Sequence, residues 1–204
     1  MTILGQKKIL AALSANESAD RLFITPILDR TQITSSSFDI RLGFDFVTIK
    51  RGNVGVFDPA KEEVTPERFR TPHHLNLRRP FYLHPNEMAL ASTLEHFRLP
   101  VSIGAYVTSR SKWGRRGLII ATATAVNPGF SGTITLELVN HGNVPLVLYP
   151  GLRVAQIVFH ETKGAVKYTG SLANQTGPLQ ASVSRGAKSE DAFWLPNSEL
   201  THQK

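Results

Sequence analysis

The stretch 132–139 reads GTITLELV, in which polar and apolar side chains alternate from Thr133 to Leu138. Successive side chains of a β-strand point to opposite faces, so this alternation predicts a strand with one apolar face and one polar face. Thr133, Thr135 and Glu137 share the polar face. Glutamate is uncommon in strands, which makes Glu137 the residue of this stretch that needs an explanation.

Short apolar or alternating runs lie on both sides of this strand, and turn signals separate them at 127–129 (NPG), 141–143 (HGN) and 149–151 (YPG). The other predicted strands are Phe38–Leu42, Phe44–Ile49, Met88–Leu94, Ile103–Val107, Leu118–Ala123, Val144–Leu148 and Arg153–Phe159. Many short strands with tight turns indicate an all-β barrel or sandwich. The spacing of apolar residues over 3–14 predicts one short amphipathic helix.

Two parts of the chain fall outside this pattern. Residues 58–80 are polar and charged, and they are predicted to run over the surface as a long excursion. Residues 182–204 are mostly polar. We therefore place the domain at 1–181 and interpret 182–204 as a C-terminal tail, either mobile or packed on a neighbouring subunit.

The composition of the 204 residues excludes several classes of protein. The chain has no cysteine, which excludes a disulfide scaffold, a thiol nucleophile and the cysteine-ligated zinc site of common nucleobase deaminases. The net charge of +7 suits a polyanionic ligand. No apolar run is long enough to span a membrane and the N-terminus does not resemble a signal peptide, so the expected compartment is the cytoplasm.

Residues 109–117, SRSKWGRRG, form a basic segment between two predicted strands. Arginine guanidinium groups bind phosphate oxygens in pairs, and serine hydroxyls and backbone N–H groups add donors, so the segment suits a polyphosphate. The alternative is an ordinary basic turn at the surface. The cations are confined to one tight loop instead of following a stripe, which does not favour binding of nucleic acid.

Two interpretations are open for Glu137. A carboxyl group buried in such a face has a raised pKa and suits general acid/base catalysis, whereas on a solvated face it is an ordinary surface group. Asp39 and Arg41 share one face of a predicted strand, and we interpret them as a structural ion pair. The seven histidines show no spacing typical of metal ligands, so no protein-bound metal is predicted.

Five segments, taken in order along the chain, resemble the dCTP deaminases of the dUTPase-like superfamily. They are SSFDIRLG at 36–43, FYLHP through RSKWGR at 81–115, NPGFSG through LE at 127–137, PGLRVAQ at 150–156 and NQTGP at 174–178. Each motif is only moderately specific, but their shared order and spacing make the resemblance strong.

This resemblance implies a distorted antiparallel β-barrel that assembles as a homotrimer with active sites between subunits. It implies zinc-independent hydrolytic deamination of dCTP to dUTP and ammonia, with Mg²⁺ bound through the triphosphate of the substrate. It also makes inhibition by dTTP worth testing. No nucleic-acid or membrane partner is expected.

The resemblance also implies roles for individual residues. Glu137 matches the catalytic proton shuttle, Ser111 a group that holds the water or the amine, and the main chain of Ala123 a position that orients the attacking water. The positions implied to bind the substrate are Arg110, Ser111, Lys112, Arg115, Asn127, Thr135, Leu136, Tyr168, Ser171 and Gln175.

The sequence departs from the family pattern near the substrate. Asn127 stands where the family has an aspartate near the sugar, and in the dUTPase branch that aspartate activates the hydrolytic water. Thr124 and Ala125 differ from the usual run before it, Ser171 replaces a frequent lysine, and Lys112 replaces a serine. These departures leave open a deaminase or diphosphohydrolase that acts on another pyrimidine nucleotide, and a non-catalytic nucleotide-binding homologue.

Overall fold

A computed structural model describes residues 2–49, 70–121, 125–169, 174 and 176–178. Almost all of these belong to one compact unit formed by Met1–Thr48 and Pro72–Leu179. A second unit is formed by Ile49–Thr71 and Gln180–Lys204, and only Ile49, Arg70 and Thr71 of it are described. The predicted tail at 182–204 lies outside the described residues.

The described residues are mainly strands, connected by short turns. The strands are β1 (Phe23–Thr25), β2 (Phe38–Ile49), β3 (Arg70–His74), β4 (Phe81–Leu83), β5 (Met88–Arg98), β6 (Ile103–Ser109), β7 (Leu118–Ile120), β8 (Ala125–Val126), β9 (Ser131–Asn140), β10 (Leu146–Leu148) and β11 (Arg153–Glu161). The helices are α1 (Gln6–Leu13), a 3₁₀ turn (Arg30–Gln32) and α2 (Ser111–Gly114). Within these ranges, no helix is long and apolar enough to cross a membrane.

One antiparallel sheet contains most of these strands, in the order β7-β9-β5-β2-β11-β6-β8. β1 also pairs with β5, β3 pairs with β2, and β10 and β4 form a separate two-stranded sheet. The main sheet curls into a half-barrel. This architecture confirms the predicted all-β, barrel-like fold with a short N-terminal helix.

The inner face of the curl carries the hydrophobic core. Phe38, Phe46, Phe97 and Phe159 are fully buried there, and the rings of Phe38 and Phe97 meet edge to face with their centroids 6.2 Å apart. Burying one side chain of this size contributes about 1.5–3 kcal/mol, so each of these aromatic residues stabilises the curled sheet.

The strand ladder is irregular at one level of the sheet. From Ser92 to His96, β5 advances four residues while β9 advances only from Thr135 to Thr133. At the same level, β2 bulges against β5 between Leu42 and Phe46. Such bulges interrupt the alternation of side chains and increase the local twist, which helps the sheet to curl.

The structure corrects two of the predicted boundaries. The runs predicted as two strands around residue 43 form the single strand β2, which continues through its bulge. The predicted surface excursion contains β3, whose end is fixed by a bond from the Leu75 N–H to the Phe44 carbonyl at 2.9 Å. Polar side chains occur in β3 because it pairs with β2 alone in the described residues, and half of its surface stays open.

Candidate active site

Strand β9 presents the alternating pattern that its sequence predicts. Ile134, Leu136 and Leu138 are buried in the core, whereas Thr133, Thr135 and Glu137 are half-buried on the other face. The main-chain carbonyl of Glu137 accepts a bond from the Ala121 N–H at 2.9 Å. Its carboxylate makes no hydrogen bond or ion pair within the described parts of the chain, so it is available to a ligand.

Strand β5 extends this polar face, because directly paired residues of an antiparallel ladder share a face. Ser92 pairs with Thr135, His96 with Thr133, and Arg98 with Ser131. Burial lowers the pKa of His96, and the charge of Arg98 lowers it further, so the neutral imidazole is favoured beside the threonines. This face of β5 and β9 therefore carries His96 and Glu137 as half-buried groups, whereas Ser92 and Leu90, which pairs with Glu137, are buried.

The basic segment leads from β6 into α2 and then into β7. Ser111, Lys112 and Arg115 are exposed, as a ligand-binding role requires. The segment ends at Gly117, which has a φ of +89° and packs against the backbone of Gly142, 2.4 Å from where a Cβ would lie. Glycine is therefore required at this turn.

Arg110 differs from the other cations because its guanidinium faces inward. Its Nη1 lies 3.2 Å from Oδ2 of Asp39, a carboxylate whose side chain is only 5% exposed. The predicted ion pair between Asp39 and Arg41 is not formed, although both residues are described. Instead, Nη1 of Arg41 donates to the Gly151 carbonyl at 2.7 Å.

Arg153 contacts the same carboxylate from the neighbouring strand. Its Nη1 is 3.6 Å from Asp39 Oδ2, and its Nη2 is 2.7 Å from Oδ2 of Asp29 and 3.0 Å from Oγ1 of Thr31. The indole N–H of Trp113 donates to the Arg153 carbonyl at 2.8 Å. The basic segment is thus attached to the sheet through both arginines and through α2.

A buried carboxyl group lies behind Asp39. Glu95 is fully buried and accepts bonds from the Gln32 amide at 2.8 Å and from the Arg41 N–H at 3.0 Å. Gln32 also donates to the Asp39 carbonyl at 3.0 Å. Burial raises the pKa of Glu95, although these hydrogen bonds and the charge of Arg41 act in the opposite direction.

Tyr168 lies beside the turn that precedes β9. Its N–H donates to the Pro128 carbonyl at 3.0 Å, and its ring is 6.5 Å from the ring of Phe130. The turn requires Gly129 at a φ of +77°, because a Cβ there would lie 2.9 Å from Lys167. Tyr168 borders a cavity of about 790 Å³, which Arg98, Ser131, Lys167 and Asn174 also line.

The predicted site residues lie at two ends of β9. The basic segment meets the C-terminal end of the strand, where the His141 N–H donates to the Gly117 carbonyl at 2.7 Å. Asn127 and Tyr168 lie at the N-terminal end, and Ser131 there is about 20 Å from Glu137 at 3.3 Å per residue. Within the described residues, the basic segment and the Asn127 turn therefore lie at opposite ends of β9.

The remaining predicted site residues are either buried in the core or outside the described residues. The side chain of Leu136 is fully buried in the core, so only its main chain is available to a ligand. Ala123, Ser171 and Gln175, together with the departure at Thr124, lie outside the described residues. Among the residues that are described, no cluster of three or more His, Asp or Glu side chains could hold a metal ion.

Comparison with known proteins places the chain in a family. A family model described as dCTP deaminase-like matches residues 3–162. The chain belongs to the dCTP deaminase-like family. A "dCTP deaminase, dUMP-forming" of Dictyoglomus turgidum is 40% identical to it over 171 residues, which cover 80% of this chain and 87% of the relative. An enzyme with the same description from Methanosphaera stadtmanae is 39% identical over 196 residues, which cover 90% of this chain and 94% of the relative.

The fold is shared with a solved structure. The 2′-deoxycytidine 5′-triphosphate deaminase of Agrobacterium tumefaciens superimposes with a TM-score of 0.59 at 23% identity. The match covers 79% of this chain and 48% of that chain. These findings confirm the predicted barrel-like β-fold and the resemblance to the dCTP deaminases.

The sequence analysis did not identify the acidic partners of Arg110 and Arg153. The partners in these contacts are more than 70 residues apart along the chain, as in the pair of Asp39 with Arg110. The available signal was Asp39 itself, a charged residue between Phe38 and Ile40 in a strand whose apolar side is buried. A charge in such a position requires a partner of opposite sign.

Proposed function

We propose that the protein catalyses the hydrolytic deamination of dCTP to dUTP and ammonia. The observation that carries this proposal is the carboxylate of Glu137, half-buried on a polar sheet face and unpaired within the described residues. Membership of the dCTP deaminase-like family and relatives named dCTP deaminase support the choice of reaction and substrate.

Glu137 performs the proton transfers of this reaction. Its carboxylate accepts a proton from water as the water oxygen bonds to C4 of cytosine, and it passes this proton to N3. The carboxylate then takes the remaining proton from the C4 hydroxyl and delivers it to the exocyclic amine. The C4–N bond breaks as the C4–O double bond forms, and the amine leaves as ammonia. One group that alternates between base and acid serves each of these steps. Ser111 and the main chain of Ala123 hold the water and the amine.

The triphosphate is bound by the cations and donors of the basic segment. They are Arg110, Ser111, Lys112 and Arg115. Guanidinium and ammonium groups stabilise the phosphate oxygens and fix the nucleotide beside Glu137. Mg²⁺ arrives on the triphosphate, where phosphate oxygens and water are its usual ligands.

The complete site forms between subunits of a homotrimer. This assembly is supported by the separation of the basic segment from the Asn127 turn along β9, since a second copy can bring one end of the strand to the other. Asn127 then contacts the sugar, with Tyr168, Ser171 and Gln175 completing the site at the triphosphate. The main chain of Leu136 and the side chain of Thr135 line the base.

A second candidate is deamination followed by cleavage to dUMP, because the relatives named above are described as dUMP-forming. Asn127 argues against this outcome, since an amide cannot take a proton from the water that attacks the α-phosphate. The product therefore separates the two candidates. We expect dUTP from the natural chain, and Asn127→Asp should favour release of pyrophosphate.

The test is incubation of the purified protein with Mg²⁺ and, separately, dCTP, CTP, dCMP or dUTP, followed by measurement of ammonia, pyrophosphate and nucleotide products. Ammonia and dUTP from dCTP alone support the proposal, and dTTP is expected to inhibit. Formation of dUMP and pyrophosphate identifies the second candidate. Binding of dCTP without any turnover identifies a non-catalytic homologue.

Replacement of Glu137 tests the mechanism directly. Glu137→Gln keeps the shape of the side chain but cannot accept the proton, so kcat should fall by about 10²–10⁴-fold while dCTP still binds. Glu17→Gln is the matched control, because Glu17 is exposed in the turn after α1. Full activity of the Glu137 variant would refute the assigned role.

A further inference from the structure

The charge of Arg110 is held by a buried carboxylate. Asp39 is 3% exposed as a residue, and its Oδ2 lies 3.2 Å from Nη1 of Arg110. The side chain of Arg110 is 27% exposed, so the rest of its guanidinium still reaches the surface. By contrast, Lys112 and Arg115 have no acidic partner within the described residues. Arg110 is thus fixed by a carboxylate, whereas Arg116 donates to the Lys112 carbonyl at 2.8 Å.

The same carboxylate also contacts Arg153, but the position of Arg153 does not depend on Asp39 alone. Asp29 holds Nη2 of Arg153 at 2.7 Å from outside, while Asp39 faces Nη1 at 3.6 Å from inside. The main-chain carbonyl of Arg153 accepts the Trp113 indole bond, and the Arg110 N–H donates to the Val154 carbonyl at 3.2 Å. The first turn of the basic segment therefore rests on the start of β11.

Fixing an arginine in this way has a predictable effect on ligand binding. A guanidinium has five N–H donors, so one edge can bind Asp39 while the other binds a phosphate oxygen. A free arginine side chain loses rotamer freedom on binding, whereas a preorganised one loses less. If Asp39 is neutralised, its orienting effect on Arg110 and its negative charge predict opposite changes in triphosphate binding. Removing the negative charge would strengthen attraction of a triphosphate, whereas losing the orientation would weaken its binding.

We propose that Asp39 is a positioning residue, which acts on the substrate triphosphate only through the guanidinium of Arg110. The proposal rests on the proposed function, since it takes the basic segment as the triphosphate site. Neutralising Asp39 should raise the KM for dCTP by about tenfold, the effect of losing one charge-assisted hydrogen bond, and should change kcat less.

The test is a double-mutant cycle of Asp39→Asn, Arg110→Gln and the double variant. If Asp39 acts through Arg110, its replacement raises KM about tenfold in the natural chain and less than twofold in the Arg110→Gln background. Asp29→Asn is the matched comparison, because Asp29 contacts Arg153 but not Arg110, and its effect should be the same in both backgrounds. Asp39→Glu retains the charge and should give an intermediate KM.

Three results would overturn the proposal. They are an equal rise in KM in both backgrounds, a fall in KM on replacing Asp39, and a loss that appears only in kcat. Denaturation curves must show every variant folded at the assay temperature. If Asp39→Asn is unfolded, the cycle is carried out with Asp39→Glu. An equal change in KM in both backgrounds would then likewise overturn the proposal.

The same cycle is measured by titration with inorganic tripolyphosphate, which needs no turnover. If the natural chain releases no ammonia from dCTP, the proposed function fails on that result alone. The role of Asp39 is then decided by the tripolyphosphate affinities. A weakening of about tenfold that disappears in the Arg110→Gln background supports it, and additive effects refute it.

Discussion

Gly117 joins the basic segment to the end of β9, and replacing it with alanine should be costly. A residue other than glycine at a φ of +89° costs about 1–2 kcal/mol. The added Cβ would also lie 2.4 Å from the nitrogen and 2.6 Å from the Cα of Gly142, which are both main-chain atoms. Relieving that contact weakens the bond from the His141 N–H to the Gly117 carbonyl, which contributes about 1 kcal/mol.

We therefore expect Gly117→Ala to lower the free energy of unfolding by about 3 kcal/mol, or the Tm by about 6–12 °C for a chain of this length. Gly114→Ala is the matched control, because nothing lies within 4 Å of a Cβ at that position and it belongs to α2. It should leave stability unchanged or raise it by up to about 1 kcal/mol.

Urea denaturation followed by far-UV circular dichroism measures both variants under the same conditions. The KM for dCTP is measured in parallel, since a displaced basic segment should bind the triphosphate less well. Equal unfolding free energies for the two variants, within about 0.5 kcal/mol, would show that the turn at Gly117 is not as tight as the structure has it.

Three further outcomes are expected. The raised pKa of Glu95 contributes stability that is complete below about pH 4.5 and is lost as pH rises through the pKa of the folded state. The natural chain should therefore lose stability relative to Glu95→Gln over that range. A pH-independent difference between the denaturation curves of the two proteins would contradict this. Leu136→Ala should lower the unfolding free energy by about 3 kcal/mol, as for a fully buried leucine, whereas Leu136→Met should cost less than about 1.5 kcal/mol in the same assay. Lys112→Ser should raise the KM for dCTP and reduce its dependence on salt, while Lys7→Ser, an exposed change in α1, should alter neither.

Regular strands were predictable from the sequence, whereas irregular ones were not. In β9 the period of two continues without interruption, so the face that carries Glu137 follows from the sequence alone. In β5 the bulge breaks that period, and Glu95 points into the core from a stretch that resembles an ordinary strand end. A local pattern cannot show such a reversal, because it depends on the registers of two neighbouring strands.

The ionic contacts of the candidate site were also beyond local reasoning. Asp39 and Arg41 satisfy the spacing of a pair on one strand, yet each finds its partner on another part of the fold. Oppositely charged residues two positions apart on a strand share a face, but the burial of each side chain decides which partner it contacts. The basic character of residues 109–117 was visible in the sequence, and the inward direction of Arg110 was not.

The interior of the main sheet is completed by β11, the last strand of the described residues. β11 lies between β2 and β6, although both of these precede it by many residues. While the protein is being synthesised, β2 and β6 therefore each carry an unpaired edge until Arg153–Glu161 has left the ribosome. Exposed edges of this kind recruit strands from other chains. A product that stops before Arg153 should thus aggregate more readily than the full chain.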